Sequence, residues 1–150
     1  MNLFPAGFSF IIPAYNEEAN IRQCVSAIVE EMARIRWSLY EIIVVDNNCT
    51  DLTAQIARDA GARVVQEFEK GVVPARARGA HVANFSHLVN IDADNIMPSG
   101  WADAAIEYLT QSDVAVVSGP LEYHDLGRLS NLVVRGFYVV GKMAHHVIHP

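Results

Sequence analysis

The sequence predicts a three-layer α/β/α fold around a mainly parallel sheet, on three observations. Short, apolar, largely β-branched runs recur at 8–12, 41–45, 62–66, 88–91 and 113–118. Helical segments with an apolar face separate them, and the connections are only a few residues long. Strands alternating with helices in this way pair in parallel, with crossover helices covering both faces of the sheet.

With 150 residues, the chain is long enough for one domain with a real core and too short for two. Its apolar fraction of 51% excludes a disordered chain. A net charge of −6 argues against a nucleic-acid partner, which requires clustered Lys and Arg. It does not exclude a nucleotide held through a metal ion. Cys24 and Cys49 form no CxxC pair and read as buried thiols in a reducing compartment. Met1 to Gly7 has neither the basic start nor the apolar core of a signal peptide, so the expected location is cytoplasmic. The expected division is a core over 1–120, then a loop and an amphipathic helix over 121–150 that packs on the core or on a partner.

Phe8 to Ile12, ended by Pro13, fits a strand buried on both faces. Asn16 is the expected N-cap of the next helix, with Glu17 and Glu18 at its positive end. Ile21, Cys24, Val25, Ile28, Val29 and Met32 recur at helical spacing, giving a helix up to about Arg36. Glu41 to Val45 forms the second strand, closed by Asp46. Thr50 or Asp51 caps a helix that runs to Ala60, and Gly61 stops it. Ala62 to Gln66 is a third strand. A polar loop from Glu67 to Val73 contains Lys70-Gly71, and Pro74 is expected as the first residue of the following helix. Leu88, Val89 and Ile91 read as a buried strand, followed by a helix from about Pro98 to Thr110 and a fifth strand over 113–118. Leu129 to Val147 follows a helical face that Arg135 and Lys142 interrupt, so a membrane span is not expected. His145, His146 and His149 read as a solvated cluster rather than as metal ligands.

The chemistry centres on Asp92-Ala93-Asp94, two carboxylates one residue apart where a parallel strand leaves the sheet. Open α/β sheets bind ligands at that edge. Carboxylates held this close repel unless a proton or a cation intervenes. A hard divalent cation takes such oxygen ligands and commonly keeps substrate phosphates as further ligands. The other reading is a helix start, with Asp94 or Asn95 capping the turn around Pro98. The loops after the first and second strands, 13–17 and 46–51, reach the same edge, and Lys70 to Arg78 supplies concentrated positive charge beside them. A cation-holding acidic pair next to a basic loop suits a pyrophosphate. There is no GxxxxGK[ST] loop, no GxGxxG after the first strand and no GxSxG elbow.

Three motifs together, Phe10-Ile-Ile-Pro-Ala-Tyr-Asn-Glu-Glu18, Val44-Val-Asp-Asn-Asn-Cys-Thr-Asp51 and Asn90-Ile-Asp-Ala-Asp94, resemble the family 2 glycosyltransferases of the GT-A fold, whose sheet is Rossmann-like and binds nucleotides. The resemblance covers nearly all of 8–119. It implies transfer of a sugar from a nucleoside-diphosphate-sugar donor, a UDP-sugar above others, usually with inversion. Carried over by residue, it places Pro13, Ala14, Tyr15 and Glu17 around the nucleoside, Asp46 on the base, and Lys70 and Arg76 near the base or phosphates. Asp92 and Asp94, with Ala93 between them, match the Asp-x-Asp motif. The resemblance implies Asp94 as the direct ligand of Mg²⁺ or Mn²⁺, with Asp92 near ribose and metal.

Two positions depart from the family's pattern: Asn47 stands where a second acidic residue is common, and Cys49 where Ser is common. The segment that supplies the acceptor pocket and the catalytic base normally follows the fifth strand. With no matching segment after the fifth strand, the expectation is a shortened member with no assigned general base; Glu122, His124 and Asp125 read as loop residues. The alternative function is a non-catalytic domain that binds a nucleotide sugar or a partner protein. Further expectations are a homo-oligomer through an exposed sheet edge or the last helix, a peripheral membrane contact, and an acceptor that is a saccharide, lipid or protein.

Overall fold

Strand β1 (Phe8–Ala14) is almost entirely buried and pairs with neighbours on both sides. The computed structural model describes residues 7–109. Around β1, in chain order, lie α1 (Ile21–Arg34), β2 (Tyr40–Asp46), α2 (Thr53–Asp59), β3 (Arg63–Gln66), α3 (Val72–His81), β4 (His87–Asn90) and α4 (Trp101–Leu109). The chain divides into two units, Met1–Ile106 and Glu107–Pro150, and the sheet belongs to the first. The sheet order is β3-β2-β1-β4 with every pair parallel, as the strand–helix alternation predicts. The expected fifth strand, the 121–150 segment and the histidines at 145, 146 and 149 lie outside the described residues, as do Glu122, His124 and Asp125. No helix among the described residues is long and apolar enough to cross a membrane.

Period-two alternation assigns the strand residues to two faces. Ile11, Ile43 and Val45 point to one face, where Ala75 and Ala83 complete a buried cluster flanked by Val65 and Val82. Each aliphatic side chain of this kind contributes about 1.5–3 kcal/mol when fully buried. Gly79 lets α3 lie close to the sheet, because a Cβ there would stand 2.3 Å from Ile11 Cγ2. On the opposite face Phe8 and Phe10 stack on each other and meet the Trp101 ring of α4. The buried stripe of α1, with Ile21, Cys24, Val25, Ile28 and Met32, follows the predicted spacing.

Several local expectations are corrected. Helix α1 ends at Arg34 rather than Arg36. Arg36 takes φ 54°, and Arg36 N–H and Trp37 N–H turn back to the carbonyls of Ala33 and Met32. That is a Schellman closure built without glycine. Asn16 does not cap α1; Asn20 stands at that position, and the Asn16 side chain bonds to another loop. For α2, Asp51 rather than Thr50 accepts the first-turn N–H, from Thr53 at 2.9 Å. Helix α3 starts at Val72, so Pro74 is its third residue, where a missing N–H still costs no helical bond. Strand β4 is not buried: Leu88 is 46% exposed, because β4 forms an edge of the sheet among the described residues.

Candidate functional site

Strand order reverses between β1 and β4: the chain builds outward from β1 to β3, then returns to the other side of β1. Crevices at such reversals, outside the carboxyl ends of the strands, are where open α/β sheets take ligands. A cleft of about 490 Å³ opens there.

The loop after β1 is clamped onto the loop after β2. Asn16 takes φ 55°, and its Oδ1 accepts Thr50 N–H at 2.8 Å. Glu17 N–H donates to Thr53 Oγ1 at 2.7 Å, and Glu18 N–H to Asp51 Oδ2 at 3.1 Å. Cys49 Sγ donates to the Ala14 carbonyl at 3.3 Å, which Asn47 N–H also meets at 2.9 Å. These bonds leave the Tyr15 ring outside the sheet, 56% exposed at the cleft.

Of the sequence-predicted residues, Pro13, Ala14, Tyr15, Glu17, Lys70, Asp92, Ala93 and Asp94 line this cleft. Asp46 and Arg76 are not in its wall. Asp46 is buried, and its Oδ1 accepts Cys49 N–H at 2.8 Å, an Asx-type turn that shapes the second loop. Arg76 lies behind Asp92 and pairs with its Oδ1 at 2.7 Å. The Arg76 Nε is buried with no hydrogen-bond partner among the described residues. Asn47, Gly71, Val72 and Ala75 also line the cleft and were not singled out from the sequence as binding residues. Asn47 carried a signal, as a polar residue directly after the Asp that closes β2. Gly71, Val72 and Ala75 carried none, since they reach the cleft only because α3 starts before Pro74.

The capping alternative for the acidic pair does not describe α4. Its N-terminus is capped from α1, where Glu31 Oε1 accepts Gly100 N–H at 3.0 Å and Ala102 N–H at 2.9 Å. Arg34 Nε pairs with Glu31 Oε2 at 2.8 Å and Arg34 also pairs with Asp103. The Arg34 hydrogen bonds outweigh burial, and with the two N–H donors they hold the Glu31 carboxyl down at about 2. Asp94 is exposed and takes part in no ion pair among the described residues.

The field around the pair is negative. Beneath it, Cys24 donates its thiol to the Asp92 carbonyl at 3.7 Å. Burial first, and then the charges of Asp94, Asp92 and Glu17, push that thiol up to about 12. No three metal-ligating side chains cluster among the described residues. Two carboxylates without a third protein ligand fit a hard cation that completes its shell with water and ligand oxygens, as Mg²⁺ does with phosphates. They do not fit a closed structural site.

Comparison with known proteins agrees with this architecture. The chain is 30% identical over 148 residues to a dolichol-phosphate mannosyltransferase of Pyrococcus furiosus, covering 91% of this chain and 40% of that protein. It is 29% identical over 121 residues to the glycosyltransferase AglE of Haloferax volcanii, covering 77% of this chain and 39% of the other. Among solved structures, glucosyl-3-phosphoglycerate synthase of Mycobacterium tuberculosis, in complex with Mn²⁺, UDP-glucose and phosphoglyceric acid, superposes with TM-score 0.58. The match is at 27% identity over 72% of this chain and 40% of that one. The chain thus spans about two fifths of the length of these relatives. The profile of Glycosyl transferase family 2 matches residues 9–143, nearly the whole chain, and the protein belongs to that family.

Proposed function

We propose that the cleft binds a nucleoside-diphosphate-sugar donor, a UDP-sugar in preference to others, together with Mg²⁺ or Mn²⁺. The chain then serves transfer of that sugar to an acceptor hydroxyl, with inversion. One observation carries the reading: Asp92 and Asp94 line the same cleft as Lys70 and the first turn of α3. Helix α3 has no acidic residue in its first turn, and its N-cap glycine has no side chain to cap it. Among the described residues its positive end is therefore met only by the neutral Asn47 amide at Gly71 N–H. A diphosphate answers both needs, since its oxygens satisfy a cation on one side and N–H groups and an ammonium on the other.

Each residue then has a physical task. Tyr15 offers a flat exposed ring to the base. Asp46, buried outside the cleft wall, shapes the second loop behind the base through its bond from Cys49 N–H. Asp94, exposed and unpaired among the described residues, is the direct cation ligand; Asp92 is shared between Arg76 and the ribose–metal side. When bound, the cation neutralises charge developing on the departing nucleoside diphosphate. Inversion further requires a base to take the acceptor's proton, and no described residue is assigned that role. A second reading is a domain that binds the donor without turning it over, since the described residues supply donor-side groups and no assigned base.

A thermal-shift panel of UDP-, GDP- and dTDP-sugars, with and without Mn²⁺, tests this directly. A ligand that binds only the native state raises the melting temperature. The expected result is a shift with UDP-sugar that grows on adding Mn²⁺. No shift with any sugar nucleotide contradicts the proposal. Nucleoside-diphosphate release on adding acceptors separates the transferase from the binding domain.

A further inference from the structure

Asn47 lines the cleft, yet every polar atom of its side chain is already used. Its Nδ2 donates to the Glu67 carbonyl at 3.0 Å and to the Glu69 carbonyl at 2.7 Å, and its Oδ1 accepts Gly71 N–H at 2.8 Å. The neighbouring Asn48, held at φ 69°, adds Nδ2 bonds to the carbonyls of Glu67 and Phe68, both at 3.2 Å. The loop from Glu67 to Gly71 has left β3 and not yet entered α3, so the carbonyls of Glu67, Phe68 and Glu69 have no strand or helix to pair with. The side-chain amides of Asn47 and Asn48 stand in for that missing ladder.

We infer that Asn47 is a positioning residue: by clasping the 67–71 loop it sets Lys70 and the first turn of α3 against the cleft. The inference rests on the reading that the cleft takes a nucleoside diphosphate. It also explains why an amide, and not a carboxylate, stands here. Aspartate at 47 would keep the bond from Gly71 N–H but would set an oxygen against the Glu67 and Glu69 carbonyls, with no proton between them. It would also add negative charge to a cleft that already holds Asp92 and Asp94. The departure from the acidic residue common in the family is therefore matched by the loop this chain builds.

The test combines amide hydrogen exchange at Gly71 with calorimetric binding of UDP in Mn²⁺, on the 150-residue chain and on Asn47→Ala and Asn47→Asp. In the wild type the Gly71 amide is expected to be protected although the residue is exposed. Asn47→Ala is expected to speed its exchange and weaken UDP binding, each by about tenfold, as loss of a hydrogen-bonded clasp predicts. Asn47→Asp is expected to weaken UDP binding at least as much while Gly71 keeps part of its protection. Free exchange of Gly71 in the wild type overturns the clasp without any variant having to fold. Unchanged exchange in Asn47→Ala does the same, and faster exchange with unchanged UDP affinity overturns its role toward the donor. A wild type with a protected Gly71 that does not bind UDP contradicts the proposed function instead, and leaves the clasp intact.

Discussion

Tyr15 presents an exposed aromatic ring at a cleft otherwise walled by small side chains, backbone and charge. Stacking of a base on such a ring is worth about 1–3 kcal/mol. Tyr15→Ala should therefore weaken UDP binding by roughly 5- to 100-fold and leave the melting temperature unchanged, since the ring packs in no core; calorimetry beside a melting curve checks both. Equal affinity would remove Tyr15 from the base site. Residues such as Tyr15, Asp92 and Asp94 were legible in the sequence because strand ends fix their place, whatever the loops do. Asn16 was misread because a local capping rule lost to a tertiary bond with Thr50, 34 residues away. Gly71 and Val72 were invisible for a similar reason: their position depends on a loop whose hydrogen bonds come from Asn47 and Asn48.

At the scale of elements, the apolar periodicity of α1 and the run of β1 were readable, because burial on one or both faces writes itself into every residue. Helix ends were less so, since Arg36 closes α1 without a glycine and Glu31 caps α4 from 69 residues away. The contact of α3 with β1 is the tightest of these packings. Gly79→Ala should cost about 1–3 kcal/mol through overpacking against Ile11 and Val45, measured by urea unfolding; a neutral change would mean that α3 shifts freely on the sheet. The Glu31 cap gives an acid limb to stability. Its folded value of about 2 lies below the ordinary 4.5, so the group stabilises the fold fully above that ordinary value. That contribution is lost as pH falls from about 4.5 toward 2. Melting temperature should therefore drop across this window, and less steeply in Glu31→Gln. Equal slopes would show that the cap does not couple α1 to α4.

For the molecule as a whole, a strand order that reverses beside β1 places one acidic turn, one ammonium and one helix start around a single crevice. A chain with net charge −6 gains nothing from bringing an anion to that crevice unless a cation accompanies it. The architecture was legible from strand–helix alternation alone, and the cleft from the polar residues at strand ends. The edge position of β4 among the described residues was not, because its pattern reads as buried while Leu88 stands half exposed. If Asp94 holds the cation through which this cleft binds a nucleoside diphosphate, as proposed, removing its carboxylate uncouples binding from Mn²⁺. Calorimetric titration of UDP into wild type and Asp94→Ala, each with and without Mn²⁺, measures it. Mn²⁺-dependent binding is expected in the wild type, with a loss of at least about 100-fold in Asp94→Ala, beyond what removing an outer-shell partner costs. Affinity in Asp94→Ala equal to wild type, with the same response to Mn²⁺, would contradict it.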